Sequence, residues 1–179
     1  VRKNIRIFKH SNRVNEFRIA GVDGSGDYPS FSYADSFVYV ATASGTVFST
    51  DTLHGLVEEQ VLIEPNLDLV WLPEDREKAE AQWIRAFSSL AGMDAGEVIW
   101  ESDYSTLKRA HAGTGASLAH LVLPRASDTS NCGIQLRSCA EWGTALRLIQ
   151  SEPACRYVLM DTTLSLPFIK TKDNSLFHE

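Results

Sequence analysis

Three carboxylates stand where chemistry is possible. Asp23 directly follows the apolar run Phe17–Val22 (FRIAGV), and Asp161 directly follows Tyr157–Met160 (YVLM). If these runs are neighbouring strands, the two carboxylates meet at one sheet edge. Glu141 lies twenty residues before Asp161, a separation that fits one helix and a tight connection. Three carboxylates brought to one point repel each other unless a cation sits between them. Hard divalent ions such as Mg²⁺ or Mn²⁺ favour all-oxygen sites of this kind. Two such ions ~3.5–4 Å apart can activate a water and stabilise the leaving oxygen of a phosphodiester. Taken alone, an aspartate after a strand is more often a turn residue or a helix cap.

The elements needed to position these groups can be read along the chain. Ile5–Phe8 is a short apolar run between basic residues, and FRIAGV is closed by the turn formers Asp23-Gly24-Ser25-Gly26-Asp27. Ser36–Ala43 is rich in β-branched and aromatic residues, and Ser44-Gly45 separates it from Thr46–Ser49, a pattern that predicts a hairpin. Leu67–Leu72 predicts a further strand. After Pro73, Glu74-Asp75 place negative charge where a helix N-terminus favours it. Ala79, Trp83, Ile84, Phe87, Leu90 and Ala91 then recur at helical spacing until Gly92. A second helix is expected from Asp103, a loop over 124–131 and a short strand over Cys132–Leu136. A third helix is expected from Ser138, with Cys139, Trp142, Ala145, Leu146 and Ile149 on one face, ending near Glu152-Pro153. Tyr157–Met160 then reads as a buried strand. Strands, then helices, then a strand predict a single mixed α/β domain.

Composition narrows the class. With 44% hydrophobic and 22% charged residues, the sequence is that of a globular domain rather than a disordered or fibrous chain. No stretch approaches the ~18 consecutive apolar residues of a membrane helix, and the first residues lead into no signal-type run. The start at Val1 suggests a processed or trimmed product. Cys132, Cys139 and Cys155 cannot all pair and form no Cys-x-x-Cys, the usage of a reduced, cytoplasmic protein. Net charge is −6, unlike a chain that coats nucleic acid over its whole surface. The charge is uneven, however. Residues 1–20 carry Arg2, Lys3, Arg6, Lys9, Arg13 and Arg18 against Glu16 alone, whereas 51–103 hold thirteen acidic residues against Arg76, Lys78 and Arg85. The N-terminal end is either a phosphate-meeting surface or a solvated basic edge.

The wording around the carboxylates is more specific. IAGVDGSG at 19–26 resembles the opening motif of the NurA family of DNA nucleases, an apolar strand ending in Val-Asp-Gly-Ser. SFVYVATASGTVFSTD is similar to that family's next two strands. RSCAEWGTALRLIQSEPACRYVLMDTTLSLP at 137–167 is similar to its helix with an internal glutamate, followed by a strand and an aspartate. The resemblance covers roughly 17–50 and 137–167 and leaves 51–136 unaligned, with a helical insertion at about 74–131. It implies an RNase H-like α/β fold in which Asp23, Glu141 and Asp161 are the catalytic metal ligands for Mn²⁺ or Mg²⁺. Arg2, Lys3, Arg6, Lys9, Arg13 and Ser25 would contact DNA. It further implies a homodimer and a HerA-type hexameric ATPase as partner, in DNA end processing, repair or anti-phage defence. The chain departs from the family at Asp161-Thr162-Thr163, where Asp-Gly-Ser is usual. It also has no counterpart of the family's later tyrosine and histidine segment before Glu179.

Two other functions are compatible with the sequence: a catalytically inactive subunit of the same fold that docks on an ATPase ring, and an acidic immunity or inhibitor domain for a basic toxin. Other chemistries fit poorly. Gly24-Ser25-Gly26 and Gly113-Thr114-Gly115 are not followed by Gly-Lys-Ser/Thr, and no Gly-x-Ser-x-Gly occurs. His111 and His120 have no nearby cysteine pair and do not read as a zinc site, and His178 lies at the chain's end. Trp71, Trp83, Trp100 and Trp142 sit in apolar patterns and are expected in the core or facing a partner.

Overall fold

The computed structural model describes residues 17–51, 55–59, 63–94, 126–152, 155 and 157–161. The expected strand at Ile5–Phe8 and helix from Asp103 lie outside them. So do Arg2, Lys3, Arg6, Lys9, Arg13, Trp100 and the histidines at 111, 120 and 178. The described residues form a mixed six-stranded sheet with two helices: β1 (Arg18–Ser25), β2 (Phe31–Ser32), β3 (Ser36–Asp51), β4 (Gly55–Glu59), β5 (Asn66–Pro73), α1 (Arg76–Ala91), α2 (Thr129–Ser151) and β6 (Tyr157–Met160). The fold is therefore α/β.

β3 is the hub. Along one edge it pairs antiparallel with β1 (Thr42↔Ser25 to Ser49↔Arg18) and with β2. Along the other it pairs antiparallel with β5 (Ser36↔Pro73 to Ala43↔Asn66) and β4. β6 joins the free edge of β1 in parallel, from Ile19↔Tyr157 to Val22↔Met160. The predicted hairpin within 36–49 is replaced by one continuous sixteen-residue strand. Gly45 supplies close approach rather than a turn. A Cβ there would meet Leu148 Cδ1 of α2 at 2.4 Å, so the bare backbone is where the helix settles on the sheet. β1 likewise runs on to Ser25, so Asp23-Gly24-Ser25 is strand rather than turn, held by its ladder to Thr42–Ser44.

Strand period sorts the faces. Ala20 and Val22 of β1, Tyr39, Ala41, Ala43 and Val47 of β3, and Val70 and Leu72 of β5 all point to the helix side and are buried. α1 covers β5 and packs on α2, and α2 crosses β3 and β1. Trp83, Ala86 and Leu90 of α1 meet Cys132, Leu136 and Ala140 of α2 over the β3–β5 face. Ala145 and Leu148 complete a second apolar cluster with Ala20, Val22, Val47 and Cys155. Full burial of each large side chain contributes roughly 1.5–3 kcal/mol.

α1 begins and ends as its sequence predicts. Asp75 caps it by accepting from the Lys78 backbone N–H at 3.1 Å, and Gly92 closes it in the left-handed region at φ 69°. α2 differs. It starts at Thr129, so residues 129–131 are not loop and Cys132–Leu136 is helix, not strand. Cys132, Ile134 and Leu136 alternate as a strand would, but Cys132 and Leu136 bury together as an i, i+4 pair. Its buried face also differs from expectation. Leu136, Ala140, Glu141, Thr144 and Leu148 face inward together with Ala145 of the expected face, while Trp142, Leu146 and Ile149 are exposed. β6 is half-exposed rather than buried, with Tyr157 and Leu159 outward. Trp83 is a core residue, and Trp71 is exposed on β5. None of the three cysteines forms a disulfide. Burial pushes the Cys132 and Cys139 thiols up to about 12, so neither offers a thiolate at neutral pH. No helix among the described residues is long and apolar enough to cross a membrane.

Candidate metal centre

The parallel pairing of β1 with β6 aligns Val22 with Met160. The next residue of each strand is Asp23 and Asp161, so two aspartates 138 positions apart in sequence emerge side by side. Glu141 reaches the same point from α2. One oxygen from each of Asp23, Glu141 and Asp161 lies within 4.8 Å of the others. Two ligand oxygens on one Mg²⁺ are at most ~4.2 Å apart at ~2.1 Å per bond, so small rotations of the two exposed aspartates would suffice for shared coordination.

Glu141 carries the electrostatic tension. Its residue is 0% exposed, and among the described residues its carboxylate faces the Arg137 guanidinium and the Gly24 backbone N–H, with no partner at good hydrogen-bonding geometry. Burial pushes its carboxyl above the ordinary glutamate range. Arg137 opposes the shift, and Asp161 and Asp23 add to it. A buried, unsatisfied carboxylate between two apolar clusters is costly, and structures retain such a group where it serves a purpose other than stability. An oxygen-only donor set with one orphaned member fits a hard divalent cation.

The surroundings hold Glu141 in place. A Cβ on Gly24 would lie 2.8 Å from both Cγ and Oε1 of Glu141 and 2.9 Å from the Thr42 carbonyl oxygen. The glycine after Asp23 is thus required by the approach of the helix carboxylate. Arg137, one turn before Glu141, places Nε 3.4 Å from its Oε1. The same guanidinium contacts Asp27 at 3.2 Å (Nε to Oδ1) and 3.3 Å (Nη1 to Oδ2). Asn66, buried on β5, donates to the carbonyls of Leu90 (2.6 Å) and Ala140 (3.1 Å), tying both helices to the sheet one residue before Glu141. Asp23 Oδ1 accepts from the Gly24 backbone N–H at 2.9 Å.

Asp23 and Asp161 open onto the sheet face opposite the helices. There they border a hollow of about 540 Å³ lined by Gly21, Ser44, Thr46, Phe48 and Leu159. Ser25, the sequence-predicted DNA contact, is exposed two residues from Asp23 on the same strand face. Arg18, counted among the N-terminal basic residues, is not available for phosphate. It pairs with Glu59 and, at 2.9 Å, with Glu152, joining β1 to β4 and to the end of α2.

Sequence reasoning missed Arg137, Asp27 and Asn66. Arg137 could have been found from its i, i+4 spacing to Glu141. Asn66 carries no local signal, since both its acceptors lie on other elements.

Compared with models of protein families, with curated proteins and with solved structures, the chain matches none.

Proposed function

We propose that the protein is a metal-dependent deoxyribonuclease of the NurA type with an RNase H-like fold. The observation that carries this reading is Glu141, a fully buried carboxylate that finds no well-formed hydrogen bond among the described residues and lies within reach of two exposed aspartates on adjacent parallel strands. The strand order β5-β3-β1-β6 supports the fold assignment, with β3 antiparallel to both neighbours, β1 parallel to β6, and the glutamate on the helix that leads into β6.

In this reading Asp23, Glu141 and Asp161 hold Mn²⁺ or Mg²⁺. A cation held there would supply a lowered water pKa and charge neutralisation on the phosphodiester. Gly24 and Arg137 keep the Glu141 carboxylate aimed at the site. Asp23 and Asp161, both exposed, are reachable by a substrate from the open sheet face. The basic N-terminal residues position the DNA backbone without reading sequence, and an acidic chain takes much of its grip on DNA from a partner, a HerA-type hexameric ATPase, acting on a homodimer of this protein. Mn²⁺-dependent cleavage of linear DNA tests the assignment, with Asp23→Asn and Asp161→Asn each expected to abolish it. Undiminished cleavage by both variants would remove the site.

The inactive assembly subunit is favoured by the departure from the family at Asp161-Thr162-Thr163, and the exposed apolar side chains Leu67, Leu69 and Trp71 along the outer face of β5 would serve its docking. It predicts docking on the ATPase without Mn²⁺-dependent thermal stabilisation.

A further inference from the structure

Gly21 lies in the middle of β1, and nothing among the described residues requires a glycine there. The positive-φ glycines among the described residues are Gly26, Gly55 and Gly92, so the backbone at Gly21 suits any residue. Among the described residues a Cβ at Gly21 would meet Phe48 Cε2 at 3.9 Å, an ordinary contact, and nothing nearer. Gly24 and Gly45, by contrast, are forced by the helix. A glycine in a strand interior weakens the strand and often marks a place where a ligand approaches the backbone closely.

What Gly21 provides is space. It faces the open side of the sheet with Thr46 beside it on β3 and Leu159 beside it on β6. The missing side chain makes the floor of the hollow that Asp23 and Asp161 border, two strand positions and about 7 Å further on. Ser44 and Thr46 offer hydroxyls from one side, Leu159 is 61% exposed on the other, and Phe48 closes the end. The flanking strands are two strand spacings apart, about 9.5 Å, which leaves room for one nucleoside. None of the described residues lining the hollow is lysine or arginine, and two are aspartates. A bare phosphate is repelled from this floor, whereas a neutral ring system finds apolar surface and hydroxyl partners.

We propose that the hollow over Gly21 seats the sugar and base of the nucleotide adjoining the phosphate held at the acidic cluster. This deepens the nuclease reading and rests on it. Gly21 is then a specificity-determining position, kept small for the substrate at a cost in strand stability.

The test is Gly21→Val, which fills the hollow with a residue that strands favour, alongside Leu159→Gln, a surface change that removes apolar surface from its wall without adding charge. Binding of a fluorescein-labelled oligothymidylate is measured in Ca²⁺, KM and kcat in Mn²⁺, and Mn²⁺ affinity and thermal midpoint on the same samples. We expect oligonucleotide affinity to fall about tenfold or more in both variants, the range of one lost base contact. KM should rise more than kcat falls, with Mn²⁺ affinity unchanged and the midpoint of Gly21→Val unchanged or raised. Unaltered oligonucleotide affinity and KM in both variants, with Mn²⁺ binding intact, would overturn the subsite alone. A wild-type protein that binds no Mn²⁺ would overturn the metal centre, and the subsite with it.

Discussion

Replacing Glu141 by glutamine should make the metal-free protein more stable. The wild-type carboxylate is 0% exposed, makes no well-formed hydrogen bond among the described residues, and meets Arg137 at 3.4 Å, a cation shared with Asp27. An unsatisfied buried polar group costs about 1–3 kcal/mol, and more when charged. Glutamine keeps the shape, so no cavity opens, and Arg137 retains its contacts to Asp27 at 3.2 and 3.3 Å. The expected net gain is about 1–2 kcal/mol at neutral pH, or about 2–8 °C in the thermal midpoint of a chain this size. Mn²⁺ should reverse the order. At one hundred times its dissociation constant a bound ion adds about 2.7 kcal/mol to the wild type, and the variant should gain almost nothing. Differential scanning fluorimetry of both proteins across a Mn²⁺ titration reads both effects in one experiment. The reasoning fails if Glu141→Gln lowers the midpoint without metal, or if its Mn²⁺ shift equals that of the wild type.

Other consequences can be measured on the same samples. Because burial raises the Glu141 carboxyl in the native state, the folded protein holds that proton more tightly than the unfolded chain. Glu141 therefore contributes a loss of metal-free stability as pH rises above the ordinary glutamate range, levelling off above the raised native value. Urea midpoints of wild type minus Glu141→Gln should show that slope, with Arg137, Asp23 and Asp161 as the charged groups that modulate it. Gly24→Ala puts a methyl 2.8 Å from Glu141 Cγ and Oε1. It should cost about 1–3 kcal/mol in denaturant unfolding and abolish the Mn²⁺-dependent rise in midpoint. Asn66→Ala removes two buried donations, to Leu90 and Ala140, and should cost about 2–3 kcal/mol while loosening α2 as seen by amide exchange. Equal exchange protection in the variant would mean that the helix is held by apolar packing alone.

Much of the site is legible in the sequence because its chemistry follows local pattern. Each aspartate ends the apolar part of a strand, and Glu141 precedes Asp161 by the second half of α2, a short connection and β6. The pairing of β1 with β6 then brings them together. α1 is legible for a similar reason, since Asp75 and Gly92 mark its ends by their own backbone preferences. The misreadings share another cause. Ser44-Gly45 looks like a turn to its neighbours, but Leu148, a hundred residues away, decides its role. The start of α2 has a strand's alternation, and the sheet beneath selects which side of it is buried. Arg137 and Asn66 act through atoms on other elements, which no local window contains.

The most direct test of the central claim is a crystal structure of the protein soaked in Mn²⁺, with anomalous scattering used to locate the ion. The account predicts a peak coordinated jointly by Asp23, Glu141 and Asp161, and its loss in Asp161→Asn. A cluster that stays empty of anomalous signal at saturating Mn²⁺, with Glu141 still facing both aspartates, would contradict it.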